Sequence, residues 1–315
     1  MIDLLIVAPC GKHQIYQSLS SEFVAMEPNL WVRLIGGYIR DRGWTIAIHD
    51  GEASDVNLFD VVRQTQPRLV AIIVHGHQPS ASTQTMTAAR ESAEQIKSVS
   101  DAPVIMIGGH VAALPARTLI EEPIDYACNG EGPLTVERLL AGDELIMVPG
   151  LVWRDDVTIR NNMPAPLSTM ESLHGDIWDL LPMHLYRAHN WQCLDGSSRH
   201  GYASIHTSLS CPFACSFCMI DAPFRASKAR QYRTRQPDAV VSEIRMLHKN
   251  YGVRNIKISD EMFILKPSHY LPICEGLAAL SFADELNIWI YARIDTVKPE
   301  TLSLLRRAGI RWLAL

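Results

Sequence analysis

The stretch that decides the fold is residues 205–218, IHTSLSCPFACSFC, in which Cys211, Cys215 and Cys218 follow a strand-like apolar run. The spacing C-x₃-C-x₂-C places three thiolates on one short loop, where they can bind three irons of a [4Fe–4S] cluster and leave the fourth iron open. Two other interpretations remain: a zinc site completed by His206, or three unrelated thiols. The spacing, with an aromatic residue just before the last cysteine, favours the cluster.

Beyond the cysteines the sequence alternates between helix and strand, as successive βα units do. Ionisable side chains come directly after two of the predicted strands: Asp260 and Glu261 after one, and Arg293 after the next. The predicted elements are a helix over residues 238–251, strands over 255–259 and 287–291, a helix over 299–308 and a strand from residue 311.

The first 142 residues show the same alternation and predict a parallel, doubly wound α/β sheet. The continuous β-branched run at residues 69–74 is typical of a strand buried on both faces. The predicted strands cover residues 3–9, 45–50, 69–74, 104–107 and 124–128, and the predicted helices cover 31–42, 58–66, 82–99, 115–122 and 134–140.

Four of these strands end in loops rich in glycine, histidine or hydroxyl side chains. Ligands of doubly wound sheets bind beyond the carboxyl ends of the strands, and glycine lets them approach the backbone closely. A single glycine can simply turn the chain, but four such loops together favour a large ligand. The sequence has no P-loop, and no G-x-G-x-x-G follows the first strand. The loops are residues 9–13, 75–83, 108–110 and 130–132.

The sequence predicts three segments. Residues 1–142 form the doubly wound domain, and residues 203–315 form the βα units that begin with the cysteine loop. Between them, residues 143–202 form a proline-containing connector in which two short apolar runs flank Asp155-Asp156, a pattern typical of a hairpin.

Composition narrows the class of protein. The 315 residues include 29 Lys and Arg against 34 Asp and Glu, so the formal charge is −5, which makes nucleic acid an unlikely partner. Hydrophobic residues make up 47% of the chain, as expected of globular domains rather than disordered ones. No apolar run approaches the length of a membrane span, and the N-terminus lacks the basic region of a signal peptide. We therefore expect a cytoplasmic protein whose seven cysteines include metal ligands.

The cysteine loop and the βα units after it resemble the radical S-adenosylmethionine (SAM) superfamily. That resemblance implies a partial (β/α) barrel, of which this chain carries the N-terminal part, and SAM bound at the open iron. It implies that Asp260, Glu261 and Arg293 contact SAM and that the backbone of Phe217 lies beside the adenine. In this sequence Ser210 stands where members of the superfamily commonly have glycine before the first cysteine.

The first 142 residues resemble the Rossmann-like cobalamin-binding domain of the B12-dependent radical SAM branch. Residues 26–31 and the loops after the strands carry this resemblance. The D-x-H-x-x-G signature is absent, so a histidine ligand to cobalt is not predicted. The implied cobalamin contacts are His75, Gly76, His77, Ser80, Ser82, Gly108, Gly109, His110, Gly130, Glu131 and Gly132.

Both resemblances together imply an enzyme that cleaves SAM with its cluster and uses cobalamin to transfer a methyl group to an unactivated carbon or phosphorus. Alternatives are a cyclisation or rearrangement without methyl transfer, and a non-catalytic cobalamin-binding sensor whose cluster is structural. A tRNA methylthiotransferase is disfavoured, because only Cys10 and Cys128 lie in the first half, whereas that class has three further cluster cysteines there. The implied partners are a small-molecule or biosynthetic-intermediate substrate and an electron donor such as flavodoxin or ferredoxin.

The end of the sequence lies within an apolar strand, residues 311–315. A strand that ends a half-built barrel would expose an unpaired edge. We therefore expect the chain to be a fragment of a longer protein.

Overall fold

The structure is a computed structural model that describes residues 1–54, 56–76, 81–213, 215–224 and 231–315. It divides the chain into two compact units, each built on a parallel sheet. The first unit comprises Met1–Ser18, Trp31–Leu181 and Pro212–Gln231, and the second comprises Leu19–Leu30, Pro182–Cys211 and Tyr232–Leu315.

The sheet of the first unit has the strand order β2-β1-β3-β4-β5-β6-β7. Its first five strands pair in parallel, which confirms the predicted doubly wound sheet. The strands are β1 Ile2–Ala8, β2 Ile46–Asp50, β3 Pro67–Val74, β4 Val104–Gly108, β5 Tyr126–Cys128, β6 Leu151–Asp155 and β7 Thr158–Asn161.

The hairpin β6–β7, predicted as part of a connector, extends this sheet. β6 pairs antiparallel with β5, through Tyr126 opposite Trp153 and Cys128 opposite Leu151. Leu151 and Val152 are buried where the strand meets β5. A hairpin pattern in the sequence fixes the turn but does not say which sheet edge receives the strand, so the pairing was not predictable from residues 143–202 alone.

Helices cover the first sheet, and its strands supply a continuous apolar core that includes Leu5, Ile72 and Met106. Local signals set the helix ends: the Asn57 side chain accepts a hydrogen bond from Phe59 N–H at the start of α3. The helices are α1 Lys12–Tyr16, α2 Leu30–Arg40, α3 Leu58–Thr65, α4 Met86–Val99, α5 Gly109–Ala113, α6 Pro115–Glu121 and α7 Pro133–Ala141.

The sheet of the second unit has the order β13-β12-β11-β8, with every pair parallel. These are the successive βα units predicted downstream of residue 203. The strands are β8 Tyr202–Ile205, β11 Asn255–Ile258, β12 Asn287–Tyr291 and β13 Ile310–Ala314, with a small antiparallel ribbon of β9 Ser208–Leu209 and β10 Arg233–Thr234; the helices are α8 Pro237–Tyr251, α9 Pro267–Ala278 and α10 Pro299–Arg307.

One face of the second sheet is apolar and the other carries polar side chains. Along β11, Ile256 and Ile258 alternate with Asn255 and Lys257, and all four are buried. The Lys257 ammonium lies 2.8 Å from the carboxylate of Glu27, which also accepts a hydrogen bond of 2.5 Å from the Tyr202 hydroxyl. Residues 19–30 belong to the second unit, and the Glu27–Lys257 ion pair is one of the contacts that join them to β11.

Short 3₁₀ segments complete the secondary structure, at Gln17–Leu19, Thr83–Thr85, Leu145–Met147, Trp178–Leu180, Asn190–Cys193, Ala222–Phe224, Phe263–Leu265, Ala283–Glu285 and Ile294–Thr296. Within the described ranges, no helix combines the length and apolar character that crossing a membrane requires.

Candidate functional site

The carboxyl ends of β1, β3, β4 and β5 meet at one edge of the first sheet. The strand order 2-1-3-4-5 reverses direction between β1 and β3, and that switch point is where doubly wound sheets leave a crevice for ligands. Most of the predicted cobalamin contacts follow these strands. His77 and Ser80 lie outside the described residues.

Ser82 ties two loops of this edge together. Its hydroxyl donates a hydrogen bond to the Val74 carbonyl at the end of β3 and accepts one of 3.0 Å from His110 N–H after β4. The His110 ring contacts Thr83 Oγ1 through Nδ1 at 3.0 Å, and burial lowers the pKa of His110. Ser82 and His110 thus join the loops that follow β3 and β4.

Trp31 backs the loop after β3. Its ring stacks on His75 with the centroids 5.2 Å apart and an angle of 15° between the planes, and it also lies 6.1 Å from Phe224. The sequence placed Trp31 on an apolar helix face and among the residues 26–31 that carry the cobalamin-domain resemblance, but helical spacing did not predict its contact with His75. Trp31 therefore packs against one face of the His75 ring and restricts where that imidazole can lie.

Close packing requires several glycines of this edge. An added Cβ would lie 2.4 Å from the Ala81 carbonyl oxygen at Gly76 and 2.1 Å from the Val74 carbonyl oxygen at Gly108. Gly132 has φ of +105°, in the left-handed region, whereas a Cβ added at Gly109 would lie 2.8 Å from the flexible end of Met219 and 3.4 Å from Ser82 Cβ. Gly109 is therefore the glycine at which a side chain can be introduced at the lowest cost to the fold.

The loop after β5 contributes the acid Glu131, whose carboxylate accepts a hydrogen bond from the protein backbone. The Glu131 carboxylate is buried and accepts a hydrogen bond of 2.9 Å from Ser168 N–H. Gly130 is buried as well, and its φ of +154° is one that residues with a side chain rarely adopt, so the backbone at this position favours glycine.

The three motif cysteines differ in exposure. Cys215 is exposed, Cys211 and Cys218 are partly buried, and Cys218 N–H donates to the Cys215 carbonyl at 3.1 Å in a tight turn. Among the described residues no three His, Cys, Asp or Glu side chains converge on a metal-sized space. The assignment of these thiols to one cluster therefore depends on their spacing and on the donor chemistry of thiolates, which suits iron–sulfur clusters.

Asp260 lies at the end of β11, only 1% exposed, and its carboxylate binds the segment that leads to the cysteines. It accepts hydrogen bonds from Thr207 N–H at 2.6 Å, the Thr207 hydroxyl at 2.5 Å and the Ser208 hydroxyl at 2.6 Å. Burial raises the pKa of Asp260, and the bonds from Thr207 and Ser208 oppose that rise. Three of its acceptor positions are thus occupied by protein groups.

Glu261, the next residue, is in the opposite situation. Its Oε1 is buried and has no hydrogen-bond partner among the described residues. Burial raises the pKa of Glu261 to about 7, and the nearby Asp260 charge adds to the rise. Adjacent residues with opposite bonding thus occupy one strand end: Asp260 is saturated, whereas Glu261 has an acceptor available for a cationic group.

The remaining predicted SAM contacts are near the surface. The Arg293 guanidinium makes a bidentate pair with Asp295, at 3.0 and 2.9 Å. Hydrogen bonds from Arg293 lower the pKa of Asp295. Phe217 is 91% exposed, so its ring contributes no packing to the unbound protein.

Comparison with protein families matches the B12 binding domain over residues 19–140. Among curated proteins, the chain is 29% identical over 297 residues to an uncharacterized methyltransferase of Pyrococcus horikoshii, covering 90% of this chain and 59% of that protein. It is 26% identical over 320 positions to the anaerobic magnesium-protoporphyrin IX monomethyl ester cyclase of Cereibacter sphaeroides, covering 96% of this chain and 49% of the cyclase.

Two solved structures share the fold over 99% of this chain. One is the radical S-adenosylmethionine methyltransferase TsrM of Kitasatospora setae, with a TM-score of 0.71, 19% identity and 58% of TsrM covered. The other is the cobalamin-dependent S-adenosylmethionine radical enzyme OxsB, with a TM-score of 0.69, 17% identity and 43% of OxsB covered. TsrM has been solved with cobalamin and a [4Fe-4S] cluster bound.

Residues 19–140 of this chain thus match the B12 binding domain. The fold of the chain matches that of the cobalamin-dependent radical SAM enzymes TsrM and OxsB, as the sequence resemblance implied. The chain spans only 59% and 49% of the two curated relatives compared above.

Proposed function

We propose that this protein is a cobalamin-dependent radical SAM methyltransferase that acts on an unactivated carbon or phosphorus of a small molecule. The observation that supports this most is the combination, in one chain, of the C-x₃-C-x₂-C motif at residues 211–218 with a B12 binding domain over residues 19–140. The motif supplies a radical-generating centre, and the domain supplies a methyl carrier.

In this proposal Cys211, Cys215 and Cys218 hold a [4Fe–4S] cluster as thiolates. When bound, the cluster with SAM supplies a carbon radical, and cobalamin supplies a methyl group, so the cofactors contribute the difficult chemistry. A one-electron donor such as flavodoxin or ferredoxin would reduce the cluster.

The protein's own residues bind and orient these groups. Glu261 fits the SAM ammonium, because its buried Oε1 has no hydrogen-bond partner in the part of the chain that the structure describes, and a cation beside it would favour its ionised form. Arg293 would have to exchange its partner Asp295 for the SAM carboxylate. In the first unit, the loops after β3, β4 and β5 would hold the cobalamin, with Gly109 keeping the start of α5 free of a side chain.

A cyclisation or rearrangement without methyl transfer is the second candidate. Three of the curated relatives, from different bacteria, are named as anaerobic magnesium-protoporphyrin IX monomethyl ester cyclases, and the chain matches them over at least 90% of its length. The two candidates share the cluster, SAM and cobalamin, and differ in the fate of the SAM methyl group.

The nucleosides formed from SAM distinguish the methyltransferase from the cyclase-type reaction. We would incubate the anaerobic, reduced protein with SAM, with and without hydroxocobalamin, and quantify nucleoside products by mass spectrometry. A methyltransferase should form S-adenosylhomocysteine only when cobalamin is present, in addition to 5′-deoxyadenosine. Formation of 5′-deoxyadenosine alone in both samples would favour the cyclase-type reaction. A protein that holds its cluster and cobalamin but consumes no SAM would contradict both and favour a sensor.

A further inference from the structure

We infer that Asp260 is a positioning residue for the cysteine loop rather than a ligand of SAM: its carboxylate fixes the conformation of the segment that ends at Cys211. This inference rests on the proposed cluster at the cysteines. It reassigns a residue that the family resemblance alone would place on SAM.

Hydrogen-bond geometry is the first support. Both oxygens of the Asp260 carboxylate accept bonds from Thr207 and Ser208, with three donors at 2.5 to 2.6 Å. Charge-assisted bonds of this length are among the stronger ones in proteins. The two residues stand three and four positions before Cys211, so a fixed backbone at Thr207 and Ser208 restricts where the first thiolate can lie.

A second bond extends the chain of donors to His269. The Thr207 hydroxyl has one proton, which it donates to Asp260, so at its contact of 2.9 Å with His269 it must accept from Nε2–H. His269 is 3% exposed and lies on α9, the helix that follows β11. The βα unit that supplies Asp260 thus also orients the hydroxyl that Asp260 holds.

The other side of the same segment is held by the backbone and by Arg235. Ser208 pairs with Thr234 in the β9–β10 ribbon, and Arg235 N–H donates to the Thr207 carbonyl at 2.8 Å. The Arg235 guanidinium donates to the His206 carbonyl at 2.9 Å and pairs with the buried Glu243 at 2.6 Å. Residues 206–209 are therefore fixed on two sides, with the Asp260 carboxylate on one side and the β10 segment with Arg235 on the other.

Glu261 offers the contrast that makes the inference specific. It follows Asp260 in sequence, yet its Oε1 has no partner among the described residues, so it remains able to bind a ligand. If Asp260 positions the loop and Glu261 contacts SAM, substitutions at adjacent residues must have different consequences.

The test compares Asp260→Asn, Thr207→Val, Thr207→Ser and Glu261→Gln in the whole chain. Two of these are matched: valine keeps the shape of threonine without its hydroxyl, and serine keeps the hydroxyl. After anaerobic reconstitution we expect Asp260→Asn and Thr207→Val to retain about tenfold less cluster than the wild type. Thr207→Ser and Glu261→Gln should retain it, and Glu261→Gln should weaken the change that SAM causes in the electron paramagnetic resonance spectrum of the reduced cluster.

A second readout needs no cluster. In the apo-protein we would measure the alkylation rate of Cys211 by mass spectrometry, with the exposed Cys215 and the buried Cys274 as internal references. We expect Asp260→Asn and Thr207→Val to change the ratio of Cys211 to Cys215 about tenfold, with Cys274 unchanged.

Three outcomes of these experiments decide whether Asp260 positions the cysteine loop. If Asp260→Asn keeps the cluster and the alkylation ratio but loses the SAM-induced spectral change, Asp260 is a SAM contact and the inference is wrong. An equal rise in Cys274 alkylation would indicate general unfolding and would also overturn it. A wild-type protein without iron, with the alkylation contrast intact, would overturn the proposed function while supporting the positioning role.

Discussion

The two parallel sheets present different chemistry at their carboxyl ends. In the first unit, the edge consists of backbone groups and glycines, and its polar side chains, such as Ser82 and Glu131, are bonded to the backbone. In the second unit, two acids follow β11, the buried Asp260 and the half-buried Glu261, and burial raises the pKa of both. The first edge is suited to close approach by a large ligand, and the second to controlling charge beside a reactive group.

The two units also differ in the side chains that are buried against their sheets. The first sheet encloses an apolar core, whereas the second encloses the Glu27–Lys257 ion pair with Tyr202. Buried charges are stable only while paired, so single substitutions at Glu27 or Lys257 should destabilise the second unit.

The largest expected effect comes from breaking that ion pair. Lys257→Met leaves the Glu27 carboxylate buried without its cation, and we expect the protein to lose about 3–5 kcal/mol of stability in urea denaturation. The double variant Glu27→Gln with Lys257→Met removes both charges and should recover a large part of the loss. Equal losses in the single and double variants would show that the pair does not stabilise the second unit.

The second-largest expected effect is a change in the stability of the protein with pH. Because burial raises the pKa of Glu261 from 4.5 to about 7, the folded protein binds this proton more tightly than the unfolded one. Stability must then fall as the pH rises from about 4.5 to 7 and stay reduced above that range. Glu261→Gln removes this term, so at pH 8 we expect the variant to be more stable than the wild type by up to about 3 kcal/mol. A difference that is the same at pH 4 and pH 8 would contradict the raised pKa.

A smaller effect, on cobalamin binding, is expected at the carboxyl end of the first sheet, where Gly109 follows β4. Gly109→Val places a side chain among the loops, where its Cβ displaces the flexible end of Met219 and lies in ordinary contact with Ser82, so the fold should persist while cobalamin binding weakens at least about tenfold. Ala102→Val, which adds volume at the amino end of the same strand, is the matched control. Spectroscopic titration with hydroxocobalamin measures both, and unchanged binding by the Gly109 variant would move the cobalamin site away from this loop.

The smallest effect concerns Ser210, which precedes the first cysteine. Its φ of +72° lies in the left-handed region, and its buried Oγ has no hydrogen-bond partner among the described residues. Glycine adopts this conformation without strain, so Ser210→Gly should stabilise the protein by about 1 kcal/mol. A thermal denaturation midpoint lower than that of the wild type would show that the serine has a role of its own.

Ser210 also shows what the sequence could and could not predict. Comparison with the superfamily identified it as a serine in a glycine position, and the structure supplies the reason in its backbone angle. The strands of both sheets were predictable because buried parallel strands are continuous apolar runs bounded by glycine and polar residues. The pairing of β6 with β5 was not, since a hairpin pattern does not identify its neighbour.

The bonding of the polar residues was the least predictable part. Asp260 and Glu261 are identical in pattern, both acids at one strand end, yet only one is saturated by hydrogen bonds. The difference depends on Thr207, more than fifty positions earlier, and on His269 in the next helix. Likewise, the pairing of Glu27 with Lys257 is a tertiary contact with no local signal in the sequence.

The measurement that tests the central claim most directly is the iron and sulfide content of the anaerobically reconstituted protein. We expect about four irons and four sulfides per chain, and their loss when Cys211, Cys215 and Cys218 are replaced together by alanine. Cys10→Ala, at a partly buried thiol outside the motif, should retain the full content. One zinc per chain without iron, or iron that persists in the triple variant, would contradict the account.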